Sequence, residues 1–258
     1  MKETIGEIEF LGTGTSTGVP VIGCDCKACR SADSRDKRLR ASAIVRMGGK
    51  DMLIDCGPDF REQMLRATSS HLDLVMLTHS HYDHVGGIDD LRPYCYPHHF
   101  PVYAQQNVLD DLMQRVPYCF SRNPYPGVPQ FQMNVADASH PIIIDDLRID
   151  IIPIWHYKLL INGYKFGNRL AYITDAKTIT DEVVEMLRGV KVLVINALRD
   201  EEHISHMTLN DCLGIIERVG PQSAYIIHMS HDMGLHAEVE KTLPKGVHFA
   251  YDGLIVKV

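Results

Sequence analysis

The sequence predicts an α/β fold, and three observations predict it. Short apolar runs recur along the chain and end on polar residues. Amphipathic segments with helix-type starts and stops fall between them. No linker and no repeat on the order of 20–50 residues divides the chain, so the order is βαβ-like throughout. At 258 residues it can bury a full core and form one domain over 1–258.

Ile8-Glu-Phe-Leu11 reads as the first strand, and Gly12-Thr-Gly-Thr-Ser-Thr-Gly18 as a flexible turn after it. The glycines at 12, 14 and 18 miss the dinucleotide-binding spacing, which leaves a tight loop. Ala41–Met47 and Asp51–Ile54 read as a hairpin turned by Gly48-Gly49. Helices are expected near 59–68, 107–115, 180–188 and 208–219. Thr180 and Thr208 supply starts, and Gly189 and Gly220 supply stops. Asp181, Glu182, Asp211 and Glu217 suit helix ends and solvated faces better than catalysis.

One stretch carries chemistry. His79-Ser-His81-Tyr-Asp83-His84 follows the apolar run Leu72–Leu77 and precedes Val85-Gly-Gly87. Alternate residues of an extended backbone point the same way, so His79 and His81 can grip one ion. Asp83 and His84, just past the turn, can reach a second position. Imidazole mixed with carboxylate suits Zn²⁺ or Mn²⁺, and ordinary packing does not explain it. The pattern resembles the signature of the metallo-β-lactamase fold superfamily, whose members are mostly dinuclear hydrolases.

That resemblance implies a four-layered αββα sandwich and further ligands at strand ends. Runs ending at His156, Asp175 and His228 supply candidates in the right order, and Asp55 takes the place of a residue that orients a ligand. The resemblance assigns His79, His81 and His156 to one ion. Asp83, His84 and His228 go to the other, with Asp175 between them.

Cys24-Asp-Cys26-Lys-Ala-Cys29 is the second motif. Three thiols in a loop led by Gly23 can wrap a tetrahedral ion, which predicts an N-terminal loop holding a structural Zn²⁺. His231 is the preferred fourth ligand, ahead of Cys56, Cys95 and Cys119, which read more simply as buried thiols.

The cysteine insertion narrows the resemblance. Gly12-Thr-Gly14, Gly18-Val-Pro20, the cysteine cluster, the metal motif, Pro153-Ile-Trp-His156, His228-x-Ser-His231 and Tyr251-Asp-Gly253 together resemble the phosphoribosyl cyclic phosphate phosphodiesterases of bacterial phosphonate breakdown. This implies a phosphodiesterase acting on a cyclic or small nucleotide-like phosphate ester. Hydroxide shared by two cations roughly 3.5–4 Å apart would attack phosphorus. Asp83 and His206 are the expected catalytic residues. The resemblance implies that His206 is the general acid that protonates the leaving oxygen and not a metal ligand, a role that an imidazole suits. Thioester or lactone hydrolysis in the same superfamily is the alternative. A noncatalytic metal protein like the cousin from quinone-cofactor biosynthesis is another, which the intact ligand set opposes.

Composition bounds the rest. A hydrophobic share of 45% opposes disorder, and a formal charge of −7 opposes nonspecific nucleic-acid binding. No apolar run is long enough to span a membrane. Met1–Phe10 lacks the apolar core of a secretory signal, and seven cysteines with three clustered suit a reducing compartment, so the cytoplasm is expected. The basic run Arg30, Arg35, Lys37, Arg38 and Arg40 reads as a solvated face, and His98-His99 as surface. His71, His140, His236 and His248 show no partner in sequence. The Pro- and aromatic-rich stretch 93–133 reads as irregular, and offers a cleft wall, a homodimer contact or plain packing. Around Tyr118–Gly127 it is longer than in the family it resembles, which leaves the sugar phosphate open.

Overall fold

The computed structural model describes residues 6–258, so Met1–Ile5, on which part of the leader reading rests, lie outside the described residues. The chain enters on β1 (Glu7–Gly12), then forms the hairpin β2 (Ser42–Met47) and β3 (Lys50–Ile54), paired from Ala43↔Ile54 to Met47↔Lys50. Parallel strands β4 (Leu74–Met76), β5 (Phe100–Ala104) and β6 (Phe131–Val135) follow. With the last strand, β14 (Ile255–Lys257), they make a seven-stranded sheet in the order β14-β1-β2-β3-β4-β5-β6. The second sheet runs β13-β12-β11-β10-β9-β8-β7. Its strands are β7 (Ile142–Ile144), β8 (Leu147–His156), β9 (Leu159–Phe166), β10 (Leu170–Tyr172), β11 (Val192–Asn196), β12 (Ser223–Ile227) and β13 (Val247–Phe249).

Side-chain alternation stacks the layers. On β11, Val192 and Val194 share one buried core with Ile8, Phe10 and Ile54 of the first sheet, while Leu193 and Ile195 belong to the core on the other side. Those outer residues pack on α5 (Asp181–Leu187) and α6 (Leu209–Val219). On the far side Leu53, Val75 and Val102 pack on Phe60 of α2 (Phe60–Arg66) and Val108, Leu109 and Leu112 of α4 (Gln106–Arg115). The result is the expected αββα sandwich.

The expected helices form within a residue or two of their ends. Thr180 Oγ1 caps α5, and Thr208 with Asp211 closes a capping box on α6.

Several expectations are corrected. Gly12–Gly18 is not a free turn: Gly14 bridges both Arg40 and Met229. A Cβ on Gly12 would lie 2.0 Å from Arg40 O, so only glycine lets those backbones approach. The stretch 93–133 is not wholly irregular, because β5, α4 and β6 run through it. Arg38 is buried, and the rest of its basic run is engaged with Asp25, Asp33, Cys29 O and Asp59. The four histidines without a sequence partner all have one: His71 meets Asp73, His140 Asp137, His236 Arg38 and His248 Glu240. His98-His99 is exposed, as read. No helix among the described residues is long and apolar enough to cross a membrane.

Candidate metal centre

Parallel strands put their C-terminal ends on one edge, and the polar residues that follow them gather there. Asp55 follows β3, His79 follows β4, Asp175 follows β10 and His228 follows β12. Asp55, Asp175 and His228 adopt left-handed backbone (φ 60°, 56° and 59°), which bends the chain sharply off the strand. His81 precedes the short helix α3 (Tyr82–Val85), which carries Asp83 and His84. This helix nests on the turn after β3, with Cys56 N donating to His84 O at 2.8 Å. A Cβ at Gly57 would lie 2.1 Å from Asp83 O, so glycine is required for the fit.

The donor atoms fall into overlapping groups: His79, His81 and His156; His79, His84 and Asp175; Asp83, His84 and His228; and His156, Asp175 and His206. Asp175 Oδ2 lies 3.3 Å from His84 Nε2, and its Oδ1 lies 3.1 Å from His228 Nε2. Asp83 Oδ2 reaches the same two nitrogens at 3.2 and 3.7 Å. Three histidines are oriented from behind. His84 Nδ1 meets Asp55 Oδ2 at 2.7 Å, His79 Nδ1 meets Thr78 Oγ1 at 3.0 Å, and His156 Nδ1 donates to Ser205 O at 2.9 Å. Such outer contacts fix ring orientation and free Nε2 for an ion.

The residues fit a metal on an independent observation. Nε2 of His79, His84 and His228 are buried with no hydrogen-bond partner, and buried polar nitrogens are seldom left so. Burial followed by the nearby His84 charge pushes His79 well below its ordinary range. Burial works against a charge on His84, yet Asp175, Asp55 and Asp83 outweigh it and hold that imidazole up. Buried carboxylates pressing on one imidazole are the environment a divalent cation satisfies.

His206 is buried in the same cluster, its Nδ1 3.7 Å from Asp175 Oδ1. Burial and then His228 lower it to about 3. His203 stands beside it with ring centroids 5.1 Å apart, half-buried.

Sequence reading missed several supports. Thr78 Oγ1 lies 2.8 Å from Asp55 Oδ2, and Thr174 Oγ1 2.7 Å from Asp175 Oδ2. Asn196 accepts from Ala176 N at 2.7 Å, bracing the turn after Asp175. A polar residue closing an apolar run was the available signal, and Asn196 at the end of β11 carries it.

The N-terminal loop, which includes the one-turn helix α1 (Lys27–Arg30), forms a second group. Cys24, Cys26, Cys29 and His231 bring their donor atoms within 4.8 Å of one another. Cys24 Sγ and Cys26 Sγ lie 3.4 and 3.3 Å from His231 Nδ1. The Cys29 N–H and then His231 lower the Cys26 thiol to about 6, while burial raises Cys29 to about 11. Cys56, Cys95 and Cys119 stay buried in apolar packing, away from this group.

The chain belongs to the beta-lactamase superfamily, whose Beta-lactamase superfamily domain matches residues 50–229. It is 38% identical to a solved structure described as a new diphosphatase from the PhnP family, with a TM-score of 0.92 and coverage of 99% of this chain and 98% of that one. Zn²⁺-bound PqqB from Methylobacterium extorquens shares the fold at 19% identity, with a TM-score of 0.80 over 98% of this chain and all of that one. A Porphyromonas gingivalis protein named octanoyltransferase is 46% identical over 247 residues, 95% of this chain. The chain spans about half the length of that relative (50%). Fold and family together define a beta-lactamase superfamily domain, and its strand-end histidines and aspartates are of the kind that hold metal.

Proposed function

We propose that the chain is a dinuclear metal-dependent phosphodiesterase or diphosphatase acting on a small, nucleotide-like or cyclic phosphate ester. The observation that carries it is the convergence of buried Nε2 atoms, none satisfied by a hydrogen bond, on the carboxylates of Asp83 and Asp175. The likeness to a diphosphatase across nearly the whole chain supports phosphorus as the reacting centre. His79, His81 and His156 would hold one cation and Asp83, His84 and His228 the other, with Asp175 as a ligand shared between the two groups. Zn²⁺ or Mn²⁺ suits these donors, and a third ion, structural Zn²⁺, suits the cysteine group. Divalent cations there would activate water and neutralise the ester's charge. With the Arg30–Arg40 run engaged elsewhere, the ester's charge falls to the metal centre. His206 protonates the leaving oxygen. In the free chain, burial and then His228 favour its neutral form.

A second reading, thioester hydrolysis, is favoured by the octanoyltransferase relative, whose name points to acyl-group chemistry. After metal reconstitution, a panel of ribose cyclic phosphates, linear diesters, dinucleoside diphosphates and octanoyl thioesters separates them. Turnover of phosphorus esters alone is expected. Turnover of thioesters alone transfers the assignment to the second reading, and turnover of none leaves a noncatalytic metal protein.

A further inference from the structure

Thr13, Arg38 and Asp252 form a polar clamp outside both metal groups. Thr13 Oγ1 donates to Asp252 Oδ1 at 2.8 Å, and Asp252 Oδ2 accepts from Leu39 N at 2.7 Å. Arg38, only 6% exposed, donates through Nη1 to Thr13 Oγ1 at 2.9 Å and to Ala250 O at 2.8 Å. Its Nη2 lies 3.2 Å from His236 Nδ1, and His236 N donates to Asp36 Oδ1 at 2.8 Å. Gly14 N donates to Leu39 O at 2.8 Å, which ties the same segment to the chain leaving the cysteine loop.

The other side of this segment holds Met229. Met229 N donates to Thr13 O, and Thr15 N donates to Met229 O, each at 3.1 Å. Met229 directly follows His228 and stands two residues before His231. His228 differs in one respect from the buried histidines His79, His84 and His156. The outer nitrogens of His79, His84 and His156 are held by Thr78, Asp55 and Ser205 O, whereas His228 Nδ1 is buried without a partner. Its ring is therefore aimed by its backbone, which stands at φ 59° and is pinned next door at Met229.

We infer that Thr13, Arg38 and Asp252 are positioning residues for His228: by clamping Thr13–Thr15 against Met229 they do for this imidazole what a direct hydrogen bond does for the others. The inference rests on the reading of His228 as a ligand to a divalent cation. It also links that ion to the cysteine loop, since Val19 and Arg38 exchange backbone hydrogen bonds at 2.9 and 2.8 Å.

Cobalt titration of the metal-free full chain tests it, because thiolate charge-transfer bands report the cysteine group and weaker d–d bands report nitrogen–oxygen sites. Thr13→Val keeps the shape and removes the hydroxyl. It should weaken cobalt binding at the nitrogen–oxygen sites by about 10–100-fold, the usual range for an outer support, and leave one equivalent in the thiolate site. Thr13→Ser should restore the parent affinity. A variant that melts lower yet binds nitrogen–oxygen cobalt within about twofold of the parent would show a merely structural role and overturn the inference. If Thr13→Val does not fold, Asp252→Asn is read by the same bands against the same two outcomes. The readout needs no substrate. A parent that binds cobalt at both kinds of site but cleaves no phosphate ester sinks the proposed function alone. A parent that binds only thiolate cobalt sinks both.

Discussion

Asp55, Asp175 and His228 hold backbone conformations that cost most residues on the order of 1–3 kcal/mol, and Asp and His are among the side chains that tolerate them best. Three such residues at three strand ends, all in or directly behind the metal centre, indicate strain retained for geometry. At the same scale, His206 carries the sharpest prediction. His206→Ala should slow hydrolysis of a ribose cyclic phosphate by about 10²–10⁴-fold, the usual contribution of a general acid. A nitrophenyl ester, whose leaving group departs without a proton, should lose much less. Equal losses on both substrates, or a lost ion in elemental analysis, would assign His206 to the ligand set instead, a role its place beside His156 and Asp175 also permits.

Among the elements, α6 and the cysteine loop show what local sequence can specify. The Thr208 hydroxyl accepts from Asp211 N at 3.1 Å, and the Asp211 carboxylate answers to Thr208 N. Thr208→Ala should cost about 1 kcal/mol, read as a lower Tm with unchanged metal content. Cys26→Ser should also lower Tm, because a closed thiolate site contributes folding free energy when its ion is bound. Unchanged Tm together with unchanged zinc content would reject a structural ion there. Caps and the Gly48-Gly49 hairpin were legible because their hydrogen bonds close within a few residues. β5 and β6 were not. The run of prolines from Pro93 to Pro129 read as breakers and masked both strands, although Phe131 to Val135 alternates apolar and polar.

For the whole molecule, the two groups of donors predict about three ions per chain after full loading. Elemental analysis of anaerobically purified protein checks this, and no more than one ion would refute it. Chelation should strip the histidine–aspartate centre before the thiolate site.

Residue types and short spacings settled which side chains converge within each motif, and the family resemblance joined the strand-end residues to them. His79 to His84 lie on one turn, Cys24 to Cys29 on another, and the strand-end residues His156, Asp175 and His228 were visible as polar stops after apolar runs. The sandwich itself came from the resemblance those motifs carry. Tertiary structure alone decided the rest. It buried Arg38 against Thr13 and His236, drew Ser205 O onto His156, and set His206 beside Asp175. The reason is physical: local spacing governs which atoms a turn or strand can present. Burial and partnership between residues far apart in the chain exist only once the two sheets have stacked and their loops share one edge.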